Sequence, residues 1–283
     1  SRVWREIGGF ALNPVGGFNR LVTGQSSKVQ GNPADRLPEF FATNFEFGTR
    51  TIGEERIYEA DTTRVFLKVG LAYGNPFEGD MDRPFDTFRF NLQVNFGDKS
   101  AIGQAEVRGL LEGSTLSETE NSQHLIAIYQ HYDYVNNNAY EWGGQSFSGT
   151  YLSRVQIDRA TLVTELHGSA VLMGATKSDY EDFTGRSYGY GPGLGFEFNT
   201  VLMRGGRPFF SLGHSSHWIW VMNGDSATHN VNFTSARLDL PLAEFFGLGL
   251  EYYLYHSKRN YDDFADVEQR NPEVRLFMNW FSR

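Results

Sequence analysis

The sequence predicts an all-β fold, an antiparallel transmembrane outer-membrane β-barrel of about twelve strands, and three observations carry that reading. Stretch after stretch alternates apolar or aromatic residues with polar, small or charged ones, the period-2 mark of strands with two unlike faces. The polar face carries Gly, Glu, Arg and Asn repeatedly, whereas a water-soluble sandwich fills its inner face with branched aliphatics. Of 283 residues, 24 are Phe, 14 Tyr, 5 Trp and 31 Gly, yet hydrophobic residues make up only 40% and mean hydropathy is −0.42. A chain whose apolar face meets lipid, whose polar face meets a wet lumen and whose rims carry aromatic rings has this composition.

Several alternatives fall on composition alone. With 25 Lys and Arg against 34 Asp and Glu the net charge is −9, which argues against nucleic acid as a partner. The absence of cysteine excludes disulfides, zinc-thiolate sites, iron–sulfur clusters and cysteine nucleophiles, and agrees with an oxidising compartment. No apolar run approaches the roughly 18 residues of a transmembrane helix, the longest being short pieces such as Trp218 to Met222.

Residues 1–37 differ in character from the rest. Ser1-Arg2-Val3-Trp4-Arg5-Glu6 lacks a basic start followed by an apolar core, so it is not read as a signal peptide. Val3, Trp4, Ile7, Phe10, Ala11 and Leu12 line one side of a short helix before Asn13-Pro14, and Gly16, Gly17, Gly24 and Gly31 interrupt the residues beyond it. The expectation is a periplasmic amphipathic segment, or a piece tucked into the barrel mouth.

The barrel itself is expected over 38–283, with strands near 39–51, 63–74, 86–97, 100–112, 123–134, 141–155, 159–174, 187–203, 208–222, 229–240, 246–257 and 272–282. The clearest alternation runs Phe88, Phe90, Leu92, Val94, Phe96 against Arg89, Asn91, Gln93, Asn95. Tyr188, Tyr190, Leu194, Phe196 and Phe198 likewise face away from Gly189, Gly191, Gly193, Gly195 and Glu197. These 246 residues over twelve strands give about 20 per strand plus connection, the spacing expected of 9–11-residue membrane strands with overhangs. Trp218, Trp220, Tyr252, Tyr253, Tyr255 and Trp280 are the expected rim aromatics.

An even strand number places both chain ends in the periplasm. Connections 175–186, 223–228 and 258–271 are then extracellular and long, and 156–158, 204–207 and 241–245 periplasmic and short. The early part reverses this pattern: the tight Gly97-Asp98-Lys99 turn falls outside, and the longer 75–85 and 113–122 segments fall in the periplasm.

Several motifs resemble a family of bacterial outer-membrane proteins without an assigned reaction. They are Asn13-Pro14-Val15-Gly16-Gly17-Phe18-Asn19-Arg20-Leu21, Tyr73-Gly74-Asn75-Pro76-Phe77 with Pro84-Phe85-Asp86-Thr87-Phe88, His131-Tyr132-Asp133-Tyr134 with Gly143-Gly144-Gln145-Ser146-Phe147, and Asp263-Phe264-Ala265-Asp266-Val267 running to Arg275-Leu276. The resemblance spans the chain and implies an outer-membrane location but no chemistry.

One short motif suggests chemistry. His214 and Ser216 lie two apart on one strand face, the spacing seen in outer-membrane phospholipases and lipid A deacylases, where an imidazole activates a hydroxyl. They share the parity of Phe210, Leu212, Trp218 and Trp220, the face expected to meet lipid. Against this, His217 stands where those families have Asn, and no third residue is placed to orient His214. The bland alternative is rim hydrogen bonding, or a bulge that turns the stretch into the lumen.

Glu165 and His167 share the opposite, lumen-facing parity of their strand. They read as members of an internal polar network with Glu46, Arg64, Lys68, Arg89, Glu106, Arg108, Glu197, Arg237, Asp239, Glu251 and Arg275, because isolated charges inside a narrow barrel are costly. Large inward residues such as Phe66, Tyr253 and Phe277 narrow the lumen further. The acidic loops at Asp179, Glu181, Asp182 and at Asp262, Asp263, Asp266, Glu268 lack the order of a calcium loop and read as solvated surface. The sequence thus predicts a barrel without evident catalysis and without cofactor or metal, forming a narrow channel for small polar solutes or a membrane component of an envelope assembly. Its expected partners are outer-membrane lipid and lipopolysaccharide, with envelope proteins as further candidates; the alternative is a lipid-acyl hydrolase using His214 and Ser216.

Overall fold

The computed structural model describes residues 41–52, 62–74, 87–96, 101–136, 140–178, 188–205, 207–223, 226–243, 246–263 and 265–282. The expected N-terminal segment 1–37 lies outside them. The strands are β1 (Phe41–Ile52), β2 (Thr62–Tyr73), β3 (Thr87–Asn95), β4 (Ala101–Thr119), β5 (Ser122–Asn136), β6 (Tyr140–Ile157), β7 (Ala160–Ser178), β8 (Tyr188–Arg204), β9 (Arg207–Trp220), β10 (Ser226–Pro241), β11 (Phe246–Tyr261) and β12 (Val267–Ser282). Each strand pairs antiparallel with its sequence neighbours, and β1 pairs β12, with Thr43 opposite Ser282 and Ile52 opposite Glu273. Closure gives every strand a neighbour on both sides, which is what a sheet needs in a solvent that cannot hydrogen-bond its backbone.

Alternation then sorts the side chains. Phe45, Phe47, Val69, Leu92, Ile126, Phe196, Leu212, Leu250 and Leu276 all point outward and are exposed, an apolar belt that water would not tolerate at this size and lipid would. Glu46, Gln93, Asn95, Arg108, Glu165, His167, Asp239, Glu251 and Arg275 point inward and are buried. Trp218, Trp220, Tyr252 and Trp280 are outward as expected, but Tyr255 is buried inside and Tyr253 lines the lumen. Adjacent residues of a strand cannot share a face, so Tyr252 outward fixes Tyr253 and Tyr255 inward.

Three features correct or refine the sequence reading. The segment 113–122 is not a long connection. β4 and β5 continue through it as one hairpin with Glu120 and Asn121 at its tip, residues 111–121 are exposed on both faces, and bulges interrupt the register at Leu110/Glu112 and Thr115/Ser117. The β5 arm stays paired with β6 to its end, Ser122 opposite Val155, while β4 beyond Arg108 pairs with β5 and, among the described residues, not with β3. Similarly, β11 reaches Tyr261 and β12 starts at Val267, so most of 258–271 is strand. In β7 the register shifts between Val171 and Gly174, leaving Leu172 and Met173 both exposed and moving the inward parity from Glu165, His167 and Val171 to Gly174 and Thr176.

Inside, close packing is set by glycine next to rings. Phe277 pairs in register with Gly48 on one side and Gly249 on the other, and its ring meets Phe66 edge-on at 6.2 Å between centroids. A Cβ on Gly249 would overlap that ring. Phe66 and Phe277 are both buried, as their inward parity predicts.

Candidate functional site: a charged, cavity-bearing lumen

Two ion-pair clusters line the interior. In the first, Arg237 on β10 donates through Nη1 to Glu46 Oε1 on β1 at 2.6 Å and grips Asp239 through Nε and Nη2 at 2.7 and 2.8 Å. Its guanidinium also lies over the Phe277 ring, 4.6 Å from the centroid. Lys68 Nζ approaches Glu46 at 3.7 Å. Arg275 donates to Glu251 at 2.8 Å and contacts Glu273, which also accepts from Arg50 at 2.8 Å. Pairing of this kind offsets the several kcal/mol that desolvating each ion costs.

In the second cluster Arg108 on β4 donates to Glu165 on β7 at 3.0 Å, contacts Glu106 and lies 3.6 Å from Glu197. Arg89 reaches Glu165 at 3.6 Å and Glu106 at 3.9 Å. His167 places Nε2 at 3.2 Å from Arg108 and 3.3 Å from Glu165, while its Nδ1 is 2.7 Å from Thr150 Oγ1. From Thr150 the chain continues to Ser148 at 3.2 Å and on to His131 Nε2 at 2.5 Å.

Between the clusters lies a cavity of ≈ 390 Å³ lined by charges of both signs, among them Lys68, Arg89, Glu106, Asp133, Glu197, Glu251 and Arg275. Amides and hydroxyls (Asn91, Gln93, Asn199, Ser235) and the rings of Trp142, Phe233 and Tyr253 complete the wall. His217 stacks on Trp142 at 4.5 Å between centroids. The network residues expected from sequence fall into these two separate clusters, apart from Arg64, of which the structure describes the backbone, in register with Arg50. Sequence reasoning missed Arg50, His131, Asp133, His217 and Glu273. Parity was available for each, since Arg50 follows Glu46 by four residues and Glu273 precedes Arg275 by two.

His214 and Ser216 keep the parity of the outward Leu212 and Trp218, with no register shift on β9 against β10 to turn them inward, although Ser216 is buried among its neighbours and the cavity reaches His214. Their bonds run to β10 instead of to each other: Ser216 Oγ donates to Asn232 Oδ1 at 2.5 Å, and His214 Nδ1 lies 2.8 Å from Thr234 Oγ1. Among the described residues no hydrogen bond joins His214 to Ser216.

No protein-family model matches the chain, and neither does any curated protein. Among solved structures the chain is similar to the KdgM porin, at 5% identity over 84% of this chain and 98% of that one with a TM-score of 0.32. It is similar also to the NanC porin, at 8% identity over 84% and 100% with a TM-score of 0.36. The toluene transporter TodX of Pseudomonas putida matches at 9% identity over 93% and 96% with a TM-score of 0.30.

Proposed function

We propose that the chain is an integral barrel of the bacterial outer membrane whose lumen passes small polar solutes without chemistry, in contact with lipid and lipopolysaccharide through its apolar belt. The observation that carries this reading is the cavity. A closed barrel with a lipid-facing exterior encloses a space the size of a small ligand site, walled by both signs of charge and by hydrogen-bonding groups. Mixed charge suits neutral, polyhydroxylic or zwitterionic solutes, and the paired arginines leave no wide aqueous bore.

Liposome swelling with solutes of graded size tests it. Protein-containing vesicles are expected to admit solutes of glycerol to monosaccharide size and to exclude larger ones, with low conductance in planar bilayers. Arg275→Ala, which removes a guanidinium from the wall, is expected to raise both. No flux above empty vesicles from either form would overturn the channel reading and leave that of an assembly component.

A further inference from the structure

The two lumen clusters differ in their charge balance. Around Phe277, the four carboxylates of Glu46, Asp239, Glu251 and Glu273 meet the four cations Arg50, Lys68, Arg237 and Arg275. In the other cluster the permanent cations that Glu106, Glu165 and Glu197 share, among the described residues, are Arg89 and Arg108, with His167 beside Glu165 and His217 4.0 Å from Glu197, and Asp133 adds a fourth carboxylate. Asp133 sits directly opposite Glu106 on β5, in register, where like charges repel. Among the described residues it makes neither hydrogen bond nor ion pair. Two negative charges are therefore left without a fixed partner beside a water-accessible cavity that Glu106 and Asp133 both line.

At the same spot, ligand atoms of Glu106, His131 and Asp133 all lie within 4.8 Å of one another. We propose that these three side chains bind one divalent cation of the borderline, zinc-like class, which supplies the two missing positive charges. Two carboxylate oxygens and an imidazole favour such a cation over magnesium, which prefers oxygen and retains its water. The surrounding bonds suit a metal-bound His131. Its Nε2–H can donate to Ser148 Oγ at 2.5 Å and Ser148 to Thr150 at 3.2 Å, while His167, whose Nε2 accepts from Arg108 at 3.2 Å, donates from Nδ1 to Thr150 at 2.7 Å. In this arrangement Nδ1 of His131 keeps its lone pair for the metal. Outer partners of this kind fix a ligating histidine's tautomer.

The site deepens the channel reading by placing a cation in the pore wall, but its test needs no flux. Zn²⁺ is titrated calorimetrically into the folded full chain in detergent, into Asp133→Asn and His131→Gln, and into His256→Gln, which alters the exposed His256–Glu268 pair (2.8 Å) as a surface control. The expected result is one equivalent bound by wild type, weakened more than about tenfold by D133N or H131Q, unaltered in H256Q and not displaced by equal Mg²⁺. D133N relieves a like-charge contact, so this variant is expected to fold, and it decides the matter by itself if H131Q does not. Absence of saturable binding by wild type, undiminished binding by D133N, or loss of binding in H256Q would each overturn the proposal.

Discussion

Arg108 on β4 donates to Glu165 on β7 at 3.0 Å, a bond that skips the two strands between them. It therefore crosses the lumen as a chord instead of running along the wall. The Arg237–Glu46 bond does the same from β10 to β1 across β11 and β12. Ladder hydrogen bonds close the barrel, and these two chords fix how much of its interior stays filled.

Breaking one chord at a single end should be costly. Glu165→Ala removes the hydrogen-bond partner of the buried Arg108 across the lumen while Glu106 and Glu197 still balance its charge, a loss of about 1–3 kcal/mol. The expected readout is a lower temperature for the shift from compact to unfolded migration on gels. In the double variant with Arg108→Ala the loss should be smaller than the sum of the singles, because the residues act as a pair. Additive losses would show that the chord carries no coupling.

The Phe277 ring lies where a side chain on Gly249 would have to be. Gly249→Val is expected to destabilise the barrel by about 1–3 kcal/mol, the cost of overpacking a filled interior. Phe277→Ala in the same chain should recover part of that loss by vacating the space. An equal loss in the single and double variants would mean that the glycine is needed for its backbone and not for the ring.

The strand period decides how much of the fold and of the lumen is legible in the sequence. Alternation needs only neighbouring residues, so Phe88 to Phe96 and Tyr188 to Phe198 declare their faces, and Arg108, Glu165 and Arg237 are assigned to the lumen by parity alone. Which of them meet is a matter of register and shear, set by twelve strands together. Bulges erase the period locally, which is why β7 changes parity after Val171 and why the hairpin through residues 113–122, exposed on both faces, reads as a connection. Asp133 and His131 are hard to single out because their strand alternates with Tyr132 and Tyr134, outward rings that are themselves polar-tipped and blur the contrast.

Exposure alone does not say where lipid lies, and two leucines separate the cases. Leu276 on β12 is 57% exposed within the apolar belt, whereas Leu116 is 59% exposed near the end of β4, where β4 pairs with β5 and, among the described residues, not with β3. Leu276→Arg is expected to cost about 2–4 kcal/mol and to lower the yield of folded barrel in vesicles, since a guanidinium there faces hydrocarbon. Leu116→Arg should leave both unchanged. Equal tolerance of the two substitutions would remove Leu276 from the belt.

The outward His214 and Ser216 give the last test, because their spacing fits acyl transfer while their bonds do not. A serine attacks only when an imidazole takes its proton, and here the Ser216 proton is committed to Asn232 Oδ1 while His214 Nδ1 is engaged with Thr234. Asn232 in turn donates to Asn230 at 2.9 Å, so the group beside the serine is an acceptor held in a polar ladder and no base. The reconstituted protein is expected to release no fatty acid from phospholipid or lipopolysaccharide, with or without calcium. Ser216→Ala should instead lower stability by about 1–3 kcal/mol, because it leaves the Asn232 oxygen unpaired on a lipid-facing surface. Acyl release that disappears in both Ser216→Ala and His214→Ala would establish that the imidazole swings to the hydroxyl in the membrane, and would move the functional centre from the lumen to β9.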